Sequence, residues 1–269
     1  DGYIFLMNRT NRTIQVLDEN SFALIKTLEF LIEPYCMDAH DGRLVVGMGF
    51  SSQFFLYDLS DWNMKSVNCT QYTFKHSMLI FQVAIYKNTV YYSHGNQWCD
   101  VLAYNILTEE HTYIGSFYEP MLAVDKNDGK LILAEEGSSN VELISYQNNE
   151  TELIVELSWS NAGLRFDGTN FHAYGLMFDA QTLAAFSLEK YASLFPESGY
   201  SEILGSLYYD NTVSVFLAKK DGKTYTVIYD TKIKNVFTEV EEEFVTIFKT
   251  EDGFLTFGNI TNSFVYLKT

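Results

Sequence analysis

Four glutamates share one register in this sequence: Glu33, Glu119, Glu202 and Glu243 each precede a turn by eight or nine residues. Glu33-Pro34 and Glu119-Pro120 open their stretches almost identically. Hard carboxylate oxygens gathered in a ring suit Ca²⁺ or another divalent cation. Without a cation, such close like charges would raise some of the carboxyl pKa values. The plainer chemistry of a strand-opening glutamate is solvation, with each proline setting the chain direction. The histidines (His40, His76, His94, His111, His172) are scattered and show no zinc spacing. There is no G-x-S-x-G elbow and no glycine-rich phosphate loop. The most unusual loop is HGNQWCD (94–100), where His94 and Trp98 form a candidate binding pair. An indole there could stack on a sugar or on a protein partner.

The cysteines are Cys36, Cys69 and Cys99, with no C-x-x-C. Cys36, in the apolar stretch YCMD, reads as a small core residue. Cys69 and Cys99 lie in more polar contexts, and a disulfide between them would leave one thiol. Five N-x-S/T sequons occur, at Asn8, Asn11, Asn68, Asn149 and Asn259. All fall in connections or at outer strands of the repeat described below, where N-linked glycans can stand in solvent.

These residues need a scaffold, and the composition says which kind. Apolar residues make up 47% of the 269 and aromatic residues 16%, which is ample for a packed core. Strand formers dominate over helix-period stripes. No apolar run is long enough to span a bilayer as a helix. The formal net charge of −17 sets aside nucleic acid and anionic lipid as partners, because both need their phosphates neutralised by Lys or Arg.

Turn dipeptides recur between short apolar strands: Asp1-Gly2, Asp41-Gly42, Lys87-Asn88, Asp128-Gly129, Asp167-Gly168, Asp210-Asn211 and Asp252-Gly253. Asp, Asn and Gly tolerate the positive φ of a type I′ hairpin. The spacing of roughly 40 to 45 residues is that of a four-stranded propeller blade. With the strand before each turn labelled a, the chain reads a–b–c–d. The b–c pairs include TIQVLD, QFFLYDL, DVLAYNI, AAFSLE and YTVIYDT as c strands. The expectation is an all-β, seven-bladed β-propeller of four-stranded antiparallel blades. It forms a single domain over 1–269, with blades near 1–40, 41–86, 87–127, 128–166, 167–209, 210–251 and 252–269. The first blade lacks its inner strand and the last its outer strand, so the sequence reads as a segment of a longer chain. Radial packing buries both faces of every sheet and leaves only short edges. SLEKYASLFPESG (187–199) has helical spacing and is expected to replace or precede the d strand of the fifth blade.

In NRTIQVLDENSFALIKTLEF, Thr13, Ile14, Val16, Leu17 and Asp18 followed by Leu24, Ile25 and Thr27 resemble the repeat of YVTN-type surface propellers. TVIYDTKIKNVF (226–237) is a weaker echo, and the YVTN tetrapeptide itself is absent. The resemblance implies a cell-surface or secreted setting without enzymatic activity. The glutamates with Asn161 are similar, by position only, to the metal site of gluconolactonase-like propellers.

The leading expectation is therefore an extracellular or cell-surface glycoprotein that binds protein or glycan, or builds a coat, filament or virion, with homo-oligomerisation as a variant. The competing expectation is a metal-dependent hydrolase or lactonase built on the glutamate ring. An enzyme of that kind needs a convergent cation with an open coordination position. A binding module needs only exposed aromatic or polar patches.

Overall fold

The computed structural model describes residues 2–70, 79–95, 97–136, 140–147, 150–158, 164–173, 176–187, 190, 192–197, 199–210, 212–242, 244–249, 253–258 and 263–268. The chain divides into two compact units, Asp1–Ser158 and Trp159–Thr269. Every sheet is antiparallel, with neighbours in sequence paired in space.

The first unit holds four sheets. The first is β1 (Tyr3–Asn8), β2 (Thr13–Asp18) and β3 (Leu24–Glu29). The second is β4 (Pro34–His40), β5 (Arg43–Met48), β6 (Gln53–Asp58) and β7 (Met64–Asn68). The third is β8 (Ile80–Tyr86), β9 (Thr89–Gly95), β10 (Trp98–Asn105) and β11 (His111–Tyr118). The fourth is β12 (Met121–Val124), β13 (Leu131–Glu136), β14 (Asn140–Gln147) and β15 (Glu150–Ser158). The opening strands lie against one another, β4 on β8 and β8 on β12. Strand alternation then sends successive residues to opposite neighbours. On β9, Val90 and Tyr92 join Phe54, Leu56 and Val67 of the second sheet in one core cluster. Tyr91, between them, joins Leu122, Val124 and Leu131 of the fourth. Phe54 is fully buried, its ring 5.4 Å from Tyr92 and 5.6 Å from Tyr104. A sheet buried on both faces reads as a near-continuous apolar run, and RLVVGM and TVYYSHG do so. Gly47 marks a close approach between the second and third sheets: a Cβ there would lie 2.5 Å from Cys36 Sγ and 2.7 Å from Ile80 Cγ2.

The second unit holds β16 (Arg165–Phe166), β17 (Asn170–Ala173) and β18 (Leu176–Asp179); then β19 (Glu202–Tyr209), β20 (Val213–Lys220), β21 (Lys223–Asp230) and β22 (Asn235–Val240); then β23 (Phe244–Lys249), β24 (Gly253–Gly258) and β25 (Ser263–Lys268). AAFSLE, expected as a c strand, is not one. β18 takes that place, and Ala185 and Phe186 pair back onto it through an Ala185 bridge to Phe178 and Phe186 N to Met177 O at 3.0 Å. The segment after it turns on Ser187, whose Oγ accepts from Lys190 N at 3.2 Å as a helix N-cap does. It buries Leu194 and Phe195 against Phe216 of β20. Leu188 and Tyr191, half of the expected helical stripe, lie outside the described residues; the described part of the segment follows the fourth-strand position rather than replacing it.

The turns carry a second correction. Asp41 (φ 50°) and Gly42 (φ 70°) form the expected I′ hairpin. Between β12 and β13 the connection is six residues (125–130), closed by Asp125 N to Lys130 O at 2.9 Å. In the second unit, Asp167 and Asp210 act from the flank of the turn. Each carboxylate accepts two backbone N–H groups, from Thr169 and Asn170 and from Thr212 and Val213 respectively.

A repeat not anticipated from the sequence closes the c–d hairpins. The last residue of the c strand is Asp18, Asp58, Asn105, Asp179 or Asp230, and its side-chain oxygen accepts the N–H two residues on. Four residues on, Phe22, Trp62, Glu109, Leu183 and Lys234 all take φ between 53° and 63°. In these five strands the polar closure is thus a side-chain cap on a loop that ends left-handed.

Candidate functional site

Because strands alternate in direction, the b–c hairpins and the d–a connections leave each sheet from the same end. In the first unit these loops are tied together by backbone hydrogen bonds. Gly49 N donates to Glu33 O at 2.9 Å, Cys69 N to Ser52 O at 2.8 Å, Gly95 N to Leu79 O at 3.1 Å and Glu119 N to Gln97 O at 2.6 Å. Among the described residues these bonds join neighbouring connections at the loop end.

Arg9, in the β1–β2 loop, donates from Nε to Glu33 Oε1 at 2.6 Å and lies over the Tyr35 ring at 4.2 Å. Tyr35 in turn sits 6.0 Å from Phe81 on β8. Arg12 Nη1 donates to Leu31 O at 2.9 Å. This bracing leaves apolar side chains projecting: Leu31 is 93% exposed, Phe50 79% and Trp98 55%. Phe50 holds φ at 57° and Glu119 at 44°. A bulky residue in the left-handed region carries strain, and such strain concentrates at functional positions. Trp98 packs edge-on to Tyr118, at 5.5 Å and 76°.

The sequence-derived residues divide as follows. Glu33 already has a cation, Arg9, and Glu202 is paired with Lys219 at 2.9 Å. Glu119 is half-buried in its strained loop. Asn161 and Glu243 lie outside the described residues. Among the described residues no group of three His, Cys, Asp or Glu side chains is placed to hold a metal. His94 does not line the hairpin tip. It belongs to β9, is 1% exposed, and neither ring nitrogen has a hydrogen-bond partner. Burial holds its pKa below the usual histidine value, opposed by the nearby Asp100 carboxylate. Of the expected pair, Trp98 is exposed and His94 is buried.

Cys69 and Cys99 are not joined; both are buried thiols. Cys69 packs into the cluster between the second and third sheets, and burial pushes its pKa up to about 12. Its polar sequence neighbours, Asn68 and Thr70, are exposed strand-end residues that misrepresent where its own side chain points. Cys36 is packed against the same cluster, with its pKa raised by burial. Of the sequons, Asn8, Asn11 and Asn68 are exposed at this loop end, and Asn149 and Asn259 lie outside the described residues. Asn8 Oδ1 accepts from Asn11 N, and Asn68 Oδ1 from Thr70 N, each at 2.9 Å.

Leu31 and Phe50 were missed in the sequence. The available signal was a large apolar side chain inside a turn segment, GMGFSSQ, where small and polar residues are the rule.

No protein-family model matches the sequence, and no curated protein matches it. Solved structures do match in fold. The β-propeller domain of Cps50 (Swd1) from Myceliophteria thermophila aligns over 100% of this chain and 97% of its own, with a TM-score of 0.59 and 10% identity. Kuenenia stuttgartiensis hydrazine synthase aligns over 100% and 92%, with a TM-score of 0.67 and 11% identity. A chain of the mitotic checkpoint complex aligns over 99% and 83%, with a TM-score of 0.64 and 11% identity. The fold of this chain is a β-propeller.

Proposed function

We propose that the chain is an extracellular or cell-surface β-propeller of seven blades that works as a non-catalytic binding or structural module. The observation that carries this is the braced loop end of the first unit, where Leu31, Phe50 and Trp98 stand in solvent on backbone that cannot collapse over them. Rigid scaffolds presenting exposed apolar loop residues are how protein-binding faces are built. Seven blades is supported by the sheets together with the period of the sequence. The first, fifth and seventh sheets have three strands each among the described residues, one short of the full pattern. A surface or secreted setting is supported by the YVTN-like repeat in β2–β3 and by the exposure of Asn8, Asn11 and Asn68. N-linked glycans there would stand clear of the buried cores between the sheets of the first unit.

The test is the intact mass of the natively purified protein before and after deglycosylation. A mass well above the 30.9 kDa chain that collapses on treatment is expected. A mass unchanged by treatment overturns the glycoprotein reading.

A further inference from the structure

The β9–β10 hairpin carries a buried histidine whose imidazole makes no hydrogen bond. His94 sits one rung below the last pair of the hairpin, Gly95 with Cys99, and lies opposite Asp100 on one side and Ile80 on the other. Strand alternation puts it on the face of Tyr92, which lies in the core between the second and third sheets. His94 and Asp100 are each 1% exposed, and neither imidazole nitrogen has a partner. Below this rung, Tyr92 and Leu102 are buried and anchor the hairpin. Above it, the end is tied to its neighbours by Gly95 N on Leu79 O and Glu119 N on Gln97 O.

The charge acting on His94 is the Asp100 carboxylate of β10, helped by the histidine's own backbone carbonyl. β8 brings the apolar Ile80, and the second sheet brings the Cys69 thiol to the same cluster, with Cys36 packed against it. The Tyr92 hydroxyl is turned to His111, and Tyr113 of β11 acts on Asp100. Burial outweighs the attraction of Asp100, so the closed hairpin disfavours the charged imidazole. A hydrated imidazole takes up its proton at about pH 6.5. The closed hairpin is therefore fully favoured above about pH 6.5 and loses ground as pH falls below it.

We propose that the end of the β9–β10 hairpin is released by mild acid: His94 takes up a proton, the end opens to hydrate it, and the Cys99 thiol is uncovered. The release is independent of the binding-module reading.

Native-state hydrogen exchange on the full chain, from about pH 7.5 to about pH 5, reads the opening as protection factors corrected for the intrinsic pH dependence of exchange. Protection of the Gly95 amide should fall by up to about tenfold per pH unit below about pH 6.5, the limit for one proton taken up on opening. The Val90 and Tyr92 amides should hold. A dithiodipyridine, which reacts in mild acid, should label Cys99 and spare Cys69. His94→Leu should abolish both responses, and His111→Gln should leave both in place. Protection at Gly95 that ignores pH, or an acid response that survives His94→Leu, overturns the proposal. So does labelling of Cys69 together with Cys99, which is global unfolding. Should His94→Leu not fold, the NMR titration of the His94 imidazole in the unaltered chain decides. Titration in step with the loss of Gly95 protection upholds the release, and titration in a hairpin that stays closed, with the proton held on Asp100, overturns it.

Discussion

Lys126 reaches from the β12–β13 connection across the innermost strand of the third sheet to Asp38 on β4 of the second. Its Nζ donates to Asp38 Oδ2 and, at 2.7 Å, to Ile85 O. Ile85 N donates to the same Asp38 oxygen at 2.7 Å, while Asp38 Oδ1 accepts from Ala39 N at 2.9 Å. One ion pair thus clasps the β8 backbone and joins three sheets. Its side chains are 27% and 25% exposed, so solvent screens it less than the surface pairs of this protein. Charge-assisted hydrogen bonds are worth about 1.5–3 kcal/mol when kept from water, and partial exposure moves these toward the lower figure. Lys126→Ala should then cost about 2 kcal/mol. Asp38→Ala should cost about 3 kcal/mol, because it also strands Ile85 N and leaves the ammonium without its carboxylate. The double variant should cost about 3.5–4 kcal/mol, a coupling of about 1–1.5 kcal/mol. Urea unfolding in a Trp159→Phe background reads this through Trp62 and Trp98, the two tryptophans of the first unit. Coupling below about 0.5 kcal/mol, the ordinary scatter of additive sites, would refute the clasp. So would a coupling that high salt abolishes.

Gly47→Ala should cost about 1–3 kcal/mol by driving a methyl group into Cys36 Sγ and Ile80, and Cys36→Ala should return part of it in the same denaturation assay. Lys234→Gly should raise the melting point of the second unit, because φ 53° is strained for lysine and free for glycine; a gain of about 0.5–1 kcal/mol is expected. Asp167 is pushed up by burial, but the His172 hydrogen bond and charge and the N–H groups of Asn170 and Thr169 outweigh it, leaving a depressed pKa. Its contribution is present above the ordinary carboxylate pKa of about 3.9 and is lost as pH falls through the lower folded value. Asp167→Asn should therefore lower stability at neutral pH and flatten the acid limb of the stability profile. Burial holds His111 at about 4. Unfolded chains take up that proton near pH 6.5, so stability should fall from about pH 6.5 toward pH 4, and His111→Gln should shrink that slope. The neutral ring also accepts or donates at Tyr92 Oη, 2.8 Å away, so the variant should be compared by slope and not by absolute stability.

Local chemistry was legible wherever a residue's neighbours in sequence are its neighbours in space. Asp41-Gly42 announced its own hairpin, and the alternating and continuous apolar runs announced strands with one or two buried faces. The same logic explains the errors. Asp167 and Asp210 stand beside turns, so their position one residue off the tip preserves the composition while changing the role from backbone φ to side-chain acceptor. Asp179 was the true end of its strand, and the cap-and-left-handed pattern it shares with Asp18, Asp58 and Asp230 would have located β18 before AAFSLE. The site residues were harder because their partners come from other sheets. Nothing within NRTNRT says that Arg9 will meet Glu33, and nothing around Glu202 says that Lys219 lies across the hairpin. A register of glutamates fixes height along the strands but not the side-chain partner, and in Glu33 and Glu202 a basic residue of the chain stands where a cation was expected. Leu31 and Phe50 invert the problem: both are exposed among the described residues, and the bonds that hold their loops come from residues more than a dozen positions away. What a sequence period cannot carry is this cross-sheet bracing, because the partners it joins lie in different connections of the chain.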